Sequence, residues 1–311
     1  MTKQDLIDCH DRIKPFIHIT PVLTSRLINE MIGAQLFFKC ENFQRMGAFK
    51  MRGAANAIMQ LTAEQRKNGV VTHSSGNFAQ ALSLAAQGLG VKAYIVMPNT
   101  APQVKKDAVR GYGGMVIECE PTLEAREHES KNIEDQYGAT FIHPSNDDQV
   151  ILGQGTACME LLEAQPGLDY VATPVGGGGL IAGTALAVHY FGTNCRTIGG
   201  EPLATDDAYR SLLSGQIETN TTTNTIADGL KTQLGDRNFP IIQKHVEKII
   251  RVTEKEIIVA MRIIWERLKI VCEPSSAVAF AAVLNQKGKF TEKRIGIIIS
   301  GGNVDLSQLP F

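Results

Sequence analysis

Apolar residues gather into short runs separated by longer amphipathic stretches. The runs at Gln35–Cys40, Val70–His73, Ala93–Met97, Met115–Glu118, Thr140–His143, Tyr170–Val175, Arg196–Gly199 and Ile295–Ser300 read as strands. Several, such as Ile295–Ile299, are continuous rather than alternating, the pattern of strands covered on both faces. Helical spacing of apolar positions predicts helices over Asn77–Leu89, Leu123–Tyr137, Gly155–Ala164, Leu180–Tyr190, Glu254–Lys269 and Ser275–Asn285. Leu180–Tyr190 is almost wholly apolar and should be deeply buried, whereas the charged Leu123–Tyr137 should face water. The Thr- and Asn-rich stretch Gly215–Asp228 reads as a loop.

Alternation of strand and helix implies an α/β protein with parallel sheets. A compact βαβα block, residues 69–146, reads as a small domain inserted into a larger one formed by 1–68 and 147–311. A chain of 311 residues suits two such lobes. Internal repeats, heptads and low-complexity tracts are absent, and no regulatory domain is expected beyond Phe311.

Composition acts mainly by exclusion. A net charge of -1 gives no reason to expect nucleic acid or a membrane surface as partner. The apolar runs are too short to span a bilayer, and the polar N-terminus is unlike a secretory signal. Cys9, Cys40, Cys119, Cys158, Cys195 and Cys272 form no C-x-x-C pair, which fits free thiols in a reducing cytoplasm.

Four segments carry candidate chemistry. Lys50 lies in Gly47-Ala48-Phe49-Lys50-Met51-Arg52-Gly53, shortly after an apolar strand. Flanked by an aromatic and small residues, its amine should be poorly hydrated, which lowers its pKa. A neutral amine forms a Schiff base with an aldehyde, and pyridoxal phosphate is the usual one. Most lysines are simply solvated charges.

The second segment, Pro174-Val175-Gly176-Gly177-Gly178-Gly179-Leu180, places four glycines between a strand and a helix. Bare backbone N–H groups and a helix N-terminus suit a phosphate. The absence of a following Gly-Lys-Ser/Thr excludes a P-loop. Gly177-x-Gly179-x-x-Ala182 also fits a dinucleotide fingerprint, with Glu201 at the place of a ribose-binding acid, so a nicotinamide oxidoreductase stays open on spacing alone. In Ser74-Ser75-Gly76-Asn77, the third segment, the polar side chains could merely cap a helix. Alternatively the turn binds a substrate carboxylate and Asn77 contacts a cofactor ring. The fourth, Ser300-Gly301-Gly302-Asn303, is good turn chemistry, and its serine could also meet a pyridine nitrogen without forcing that nitrogen to stay protonated.

Taken together, these motifs resemble the fold-type II pyridoxal-phosphate enzymes of the serine/threonine dehydratase and serine racemase group. The resemblance also rests on Thr20–Ser25, Phe38–Gln44, Thr225-Ile226-Ala227-Asp228-Gly229, Glu273-Pro274 and Ser300–Asp305, so it spans nearly the whole chain. It implies a two-lobed, tryptophan synthase β-like fold with parallel-rich sheets covered by helices. It favours pyridoxal phosphate over a nicotinamide. Lys50 is implied as the Schiff-base lysine and base, with Phe49 beside the ring and Asn77 at its phenolic oxygen. Gly176, Gly177, Gly178, Gly179 and Leu180 are implied at the phosphate and Ser300 at the ring nitrogen. Ser75 matches the serine that serves the opposite ring face in racemases. Ser74, Ser75, Asn77, Arg126 and Thr232 match positions near the substrate.

The same resemblance implies a divalent cation, Mg²⁺, Mn²⁺ or Ca²⁺, on Glu201, the Thr205 carbonyl and Asp207, which are hard oxygen ligands. A solvated acidic turn is the other reading of that loop. The implied reaction is β-elimination from serine, threonine or 3-hydroxyaspartate to a 2-oxo acid and ammonia, with racemisation through the same first step as the alternative. A homodimer is implied by the family only. The chain departs from relatives at Phe78, where many carry histidine, and at Ser145, often asparagine in racemases. Arg45-Met46 stands where nucleotide-activated racemases have Lys-Thr, which leaves ATP regulation without its motif.

Overall fold

The computed structural model describes residues 1–311. Its strands are β1 Val22–Leu23, β2 Gln35–Cys40, β3 Val70–His73, β4 Ala93–Pro98, β5 Met115–Cys119, β6 Thr140–Phe141, β7 Tyr170–Pro174, β8 Arg196–Pro202, β9 Val246–Val252 and β10 Arg294–Ile299. The helices are α1 Lys3–Ile13, α2 Arg26–Ile32, α3 Lys50–Met59, α4 Ala63–Asn68, α5 Asn77–Gly88, α6 Gln103–Gly111, α7 Leu123–Tyr137, α8 Asp148–Ala164, α9 Gly179–Phe191, α10 Asp207–Ser214, α11 Phe239–His245, α12 Glu254–Leu268 and α13 Pro274–Asn285.

The strands form two sheets, a six-stranded one in the order β1-β2-β10-β7-β8-β9 and a four-stranded one in the order β5-β4-β3-β6. Only β1 runs antiparallel to its neighbour. The loops bearing the four glycines, Lys50 and Ser300 follow the carboxyl ends of β7, β2 and β10, which are adjacent parallel strands. Ligands of open α/β sheets bind at such ends.

The helix over 179–191 is buried from Gly179 through Val188, and 123–137 is largely exposed, as the sequence implies. Other expectations need correction. The helix expected from Gly155 begins at Asp148, because Asp147 caps it by accepting from the N–H groups of Gln149 and Val150. Strand β6 stops at Phe141 rather than His143, because the His143 ring turns back to accept from the N–H groups of Ser145 and Asn146.

Glycines let three of these helices pack closely. A side chain at Gly153 on α8 would meet Gly53 Cα of α3 at 2.5 Å, and one at Gly183 on α9 would meet Gly155 N of α8 at 2.6 Å. Thus α3, which starts at Lys50, and α9, which starts at Gly179, are both fixed to α8. A continuous core joins the sheets here: Ala54, Ala55 and Ile58 of α3 pack with Phe78, Ala81 and Leu82 of α5 and Ile181 and Ala185 of α9.

Candidate active site

Lys50 is part-buried, and its Nζ donates to the Pro144 carbonyl at 2.7 Å. The ring centre of Phe49 lies 5.1 Å from that nitrogen and that of Phe78 lies 5.6 Å away. Burial pulls the amine down to about 8. Desolvation of the charged form is the cause. The poorly hydrated lysine expected from the sequence is therefore present, with Phe78 of α5 supplying a second aromatic wall.

The segment before Lys50 is strapped to the loop after β10. Phe49 N–H donates to Ser300 O at 2.9 Å, and Gly302 N–H to Gly47 O at 2.9 Å. Behind Lys50, the fully buried Arg52 donates to Glu41 and Glu160, with contacts of 2.7–2.9 Å. Glu160 also takes Lys39 Nζ at 2.6 Å and meets His10 Nε2 at 3.0 Å. These partners hold the Glu160 carboxyl well below the usual range, overcoming its burial.

The four glycines after β7 and Leu180 are all buried. None of the N–H groups from Gly176 to Leu180 makes a backbone hydrogen bond, and no side chain caps α9. Gly178 adopts a left-handed φ of 83°, a conformation that favours glycine. Buried N–H groups without acceptors are rare, and a row of them at a helix start is an anion cradle. Asn238 Nδ2, which the sequence gave no reason to single out, donates to Gly177 O at 2.8 Å and Ser145 O at 3.2 Å, tying the cradle to the Ser145 turn. Thr232 also packs here, its Oγ1 2.9 Å from where a Gly177 Cβ would stand.

The turn after β3 forms a second cradle. Neither Ser74, Ser75 nor Asn77 caps α5: its N-cap is Gly76, with no side-chain hydrogen bond. The N–H groups of Asn77, Phe78 and Ala79 make no backbone bond either. The simple capping role open on the sequence therefore does not apply. Phe78, in the first turn of α5, places this cradle beside Lys50. Asn77 Nδ2 donates to the Glu273 carboxyl at 3.0 and 3.2 Å, and Asn77 Oδ1 accepts from Asn303 Nδ2 at 3.0 Å.

Ser300 is buried at the end of β10, its hydroxyl 3.0 Å from that of Ser276. Arg126 makes no hydrogen bond or ion pair with the other candidates. Its Nε donates to Thr122 O at 3.3 Å, and its charge acts on His73. The His73 ring lies 6.2 Å from that of His143. Burial, with the charges of His73 and Lys50, presses His143 down to about 4. Accepting two N–H groups at Nδ1 assigns its proton to Nε2.

Glu201 and Asp207 are buried, and each carboxyl is pushed up, Asp207 to about 6, chiefly by burial; Asp207 adds to the push on Glu201. Glu201 takes the N–H groups of Ala208 and Tyr209 at 2.9 and 2.8 Å. A carboxyl buried and occupied in this way is not presented to a ribose, which removes the support for a nicotinamide site. Asp207 takes Asn220 Nδ2 at 2.6 Å and Leu234 N–H at 3.1 Å. No cluster of three His, Cys, Asp or Glu side chains suited to a metal occurs in the chain, so only carbonyls and water could complete a cation's shell here. Two buried carboxyls of like charge without an ion-paired base do fit one.

His143, Asn238, Glu273, Ser276 and Asn303 escaped the sequence reading as site residues. Glu273 and Asn303 lie in motifs that carried the resemblance, but nothing in their spacing indicates that both meet Asn77.

The model of the pyridoxal-phosphate dependent enzyme family matches residues 13–301. The chain is 52% identical to a serine racemase of Dictyostelium discoideum over 99% of its own length and 97% of the relative's. It is 49% identical to a beta-hydroxyaspartate dehydratase of Paracoccus denitrificans over 100% of its own length and 98% of the relative's. A crystal structure of the Dictyostelium racemase matches with a TM-score of 0.94, covering 98% of this chain and 99% of the other. An amine depressed by burial, a cradle of bare amides and these full-length matches agree, and the chain belongs to the fold-type II pyridoxal-phosphate dependent enzymes, among the serine racemases and hydroxy-amino-acid dehydratases.

Proposed function

We propose that the protein removes the hydroxyl of a β-hydroxy amino acid (serine, threonine or 3-hydroxyaspartate) as water by β-elimination and that this water is regained on hydrolysis, so that the net products are a 2-oxo acid and ammonia. The observation that carries this reading is the Lys50 amine, lowered to about 8 and set beside two uncapped helix starts. Pyridoxal phosphate, when bound, supplies an aldehyde for an amine and an electron sink for the bond broken at Cα. Gly176–Gly179 and Leu180 would hold its phosphate on free N–H groups, Ser300 would meet the ring nitrogen, Asn77 the phenolic oxygen, and Phe49 would flank the ring.

The start of α5, with Ser74 and Ser75, would hold the substrate carboxylate. Lys50, partly neutral near pH 7, accepts the Cα proton as general base. Thr232 and Arg126 would bound the side-chain end of the substrate. Racemisation is the second reading: Ser75 delivering a proton to the opposite face would yield the other enantiomer, and the 52% identity to a serine racemase favours keeping it.

A divalent cation on Glu201, the Thr205 carbonyl and Asp207 would neutralise two buried carboxyls and brace β8 against α10. Six free cysteines support a reducing cytoplasmic setting, and exposed Ile19 and Phe43 offer apolar surface to the second copy of a homodimer. The test is a spectrum of the purified protein and a product panel. A yellow chromophore lost on borohydride treatment and absent in Lys50→Ala is expected. Oxo-acid release from at least one hydroxy amino acid should accompany it. A colourless protein that binds no pyridoxal phosphate overturns the reading.

A further inference from the structure

Glu273 is a buried carboxyl that the proposed reaction leaves without a task. It stands just before α13, and its own N–H donates to Gly301 O at 3.1 Å, beside Ser300. No basic side chain pairs with it. Lys105 of α6, the cation that acts on it from a distance, instead bonds Asp228 at 2.8 Å. Asp228 is the anion facing it.

Its hydrogen-bonding partner is Asn77 Nδ2, at 3.0 Å from one oxygen and 3.2 Å from the other. Two oxygens of one carboxyl subtend too narrow an angle at a trigonal nitrogen to take both of its hydrogens. One N–H therefore serves both oxygens, and the second is left for another acceptor. The sense of the Asn77 amide is also fixed from its other end. Asn303 Nδ2 donates to Asn77 Oδ1 and to Met46 O, the latter at 2.8 Å. Because Met46 O can only accept, Asn303 must present its nitrogen. A flipped Asn77 would then set donor against donor at Asn303 and acceptor against acceptor at Glu273.

We propose that Glu273 is a positioning residue of the cofactor site, holding the Asn77 carboxamide so that its free N–H is presented to the phenolic oxygen of pyridoxal phosphate. The inference rests on the reading of Asn77 as the contact to that oxygen. Through Asn77, the charge on Glu273 is coupled to the charge on the ring oxygen. Burial and Asp228 push the carboxyl up to about 8, against Asn77, the Asn303 N–H and Lys105, so its charge changes near that pH.

The experiment uses the full chain and pyridoxal phosphate itself. Equilibrium dialysis gives the cofactor's Kd for the wild type, Asn77→Ala, Glu273→Leu and the double variant. The absorbance of each loaded protein is followed from pH 6 to pH 10. We expect each single change to weaken binding about tenfold and the double change to add little beyond that. We also expect Glu273→Gln, which keeps the shape, to abolish a spectral midpoint near pH 8 seen in the wild type. Multiplying losses in the double variant, or an unaltered midpoint in Glu273→Gln, overturn the proposal. Should Glu273→Leu fail to fold by circular dichroism, the Gln variant's midpoint decides alone. A wild type that binds no pyridoxal phosphate defeats the functional reading instead, so the two failures are distinct.

Discussion

Phe78 holds its ring centre 5.6 Å from Lys50 Nζ, joining the first turn of a helix beside one sheet to the lysine loop of the other. The ring helps to exclude water from the amine. Replacing it with a polar residue of similar size should rehydrate the amine. Phe78→Gln is expected to move the Lys50 midpoint from about 8 toward the ordinary 10.5. Each unit of rise removes about nine-tenths of the neutral amine at pH 7.5. The pH dependence of pyridoxal-phosphate uptake by the cofactor-free protein measures it, and an unshifted midpoint would assign the desolvation to other walls.

Arg52 and its two carboxylates anchor α3 from the side opposite the chemistry. Arg52→Leu leaves buried Glu41 without its cation and Glu160 with Lys39 and His10 alone, a change worth about 3–5 kcal/mol of stability. Glu160 also sets an acid limit. Its folded pKa lies below the ordinary 4.5, so its contribution is present above that value and is lost as pH falls below it. Glu160→Gln should lower the melting temperature at pH 7 and flatten its decline between pH 5 and pH 3. A parallel acid limb in variant and wild type would refute the assignment.

The acidic loop has the opposite sign. Burial pushes Asp207 up to about 6 in the folded protein from the ordinary 3.8, and Glu201 is raised as well. The folded state keeps protons there that the unfolded chain has released. Cation-free stability should therefore fall as pH rises from 4 through 6, by up to about 1.4 kcal/mol per pH unit for each such proton. Mg²⁺ or Ca²⁺ should restore it, more at pH 7.5 than at pH 5, where the proton already neutralises the site. Melting curves in EDTA with and without added cation test this; a cation effect independent of pH would speak against Asp207 as a ligand.

Most of the parallel framework was legible because buried strands are continuous apolar runs. What escaped has physical reasons. Helix α3 carries Arg52 and Asn56 on buried faces, so its pattern lacks a clean apolar stripe. The first turns of α8 contain Gly153 and Gly155, which look like breakers and are there for close helix contact. Strand β9 reads Val-Glu-Lys-Ile-Ile-Arg-Val, neither a clean alternation nor an apolar run. Within the site, Lys50, the glycines and Ser300 announce themselves by local composition. Glu273, Asn303 and Asn238 do not, because each acts across more than sixty positions of sequence on a partner that only the fold supplies.

On the proposal that Arg126 bounds the side-chain end of the substrate, substrate choice should turn on the basic groups around it. Arg126 acts on His73, His73 and Lys50 act on His143, and both imidazoles are held neutral near pH 7. Asp236 and Glu127 oppose this only in part. A second carboxylate on the substrate would gain from Arg126 and from any proton it draws onto His73 or His143, whereas the side chain of serine would not. Arg126→Ala is therefore expected to raise the KM for 3-hydroxyaspartate by about tenfold or more while changing that for serine less than twofold. Binding of a dicarboxylate should also lift the His143 midpoint from about 4, read from its ring proton resonances across pH. Equal losses on both substrates would mean that Arg126 serves the fold of α7, and the acidic-substrate preference would have to be sought at Ser145 and Thr232 instead.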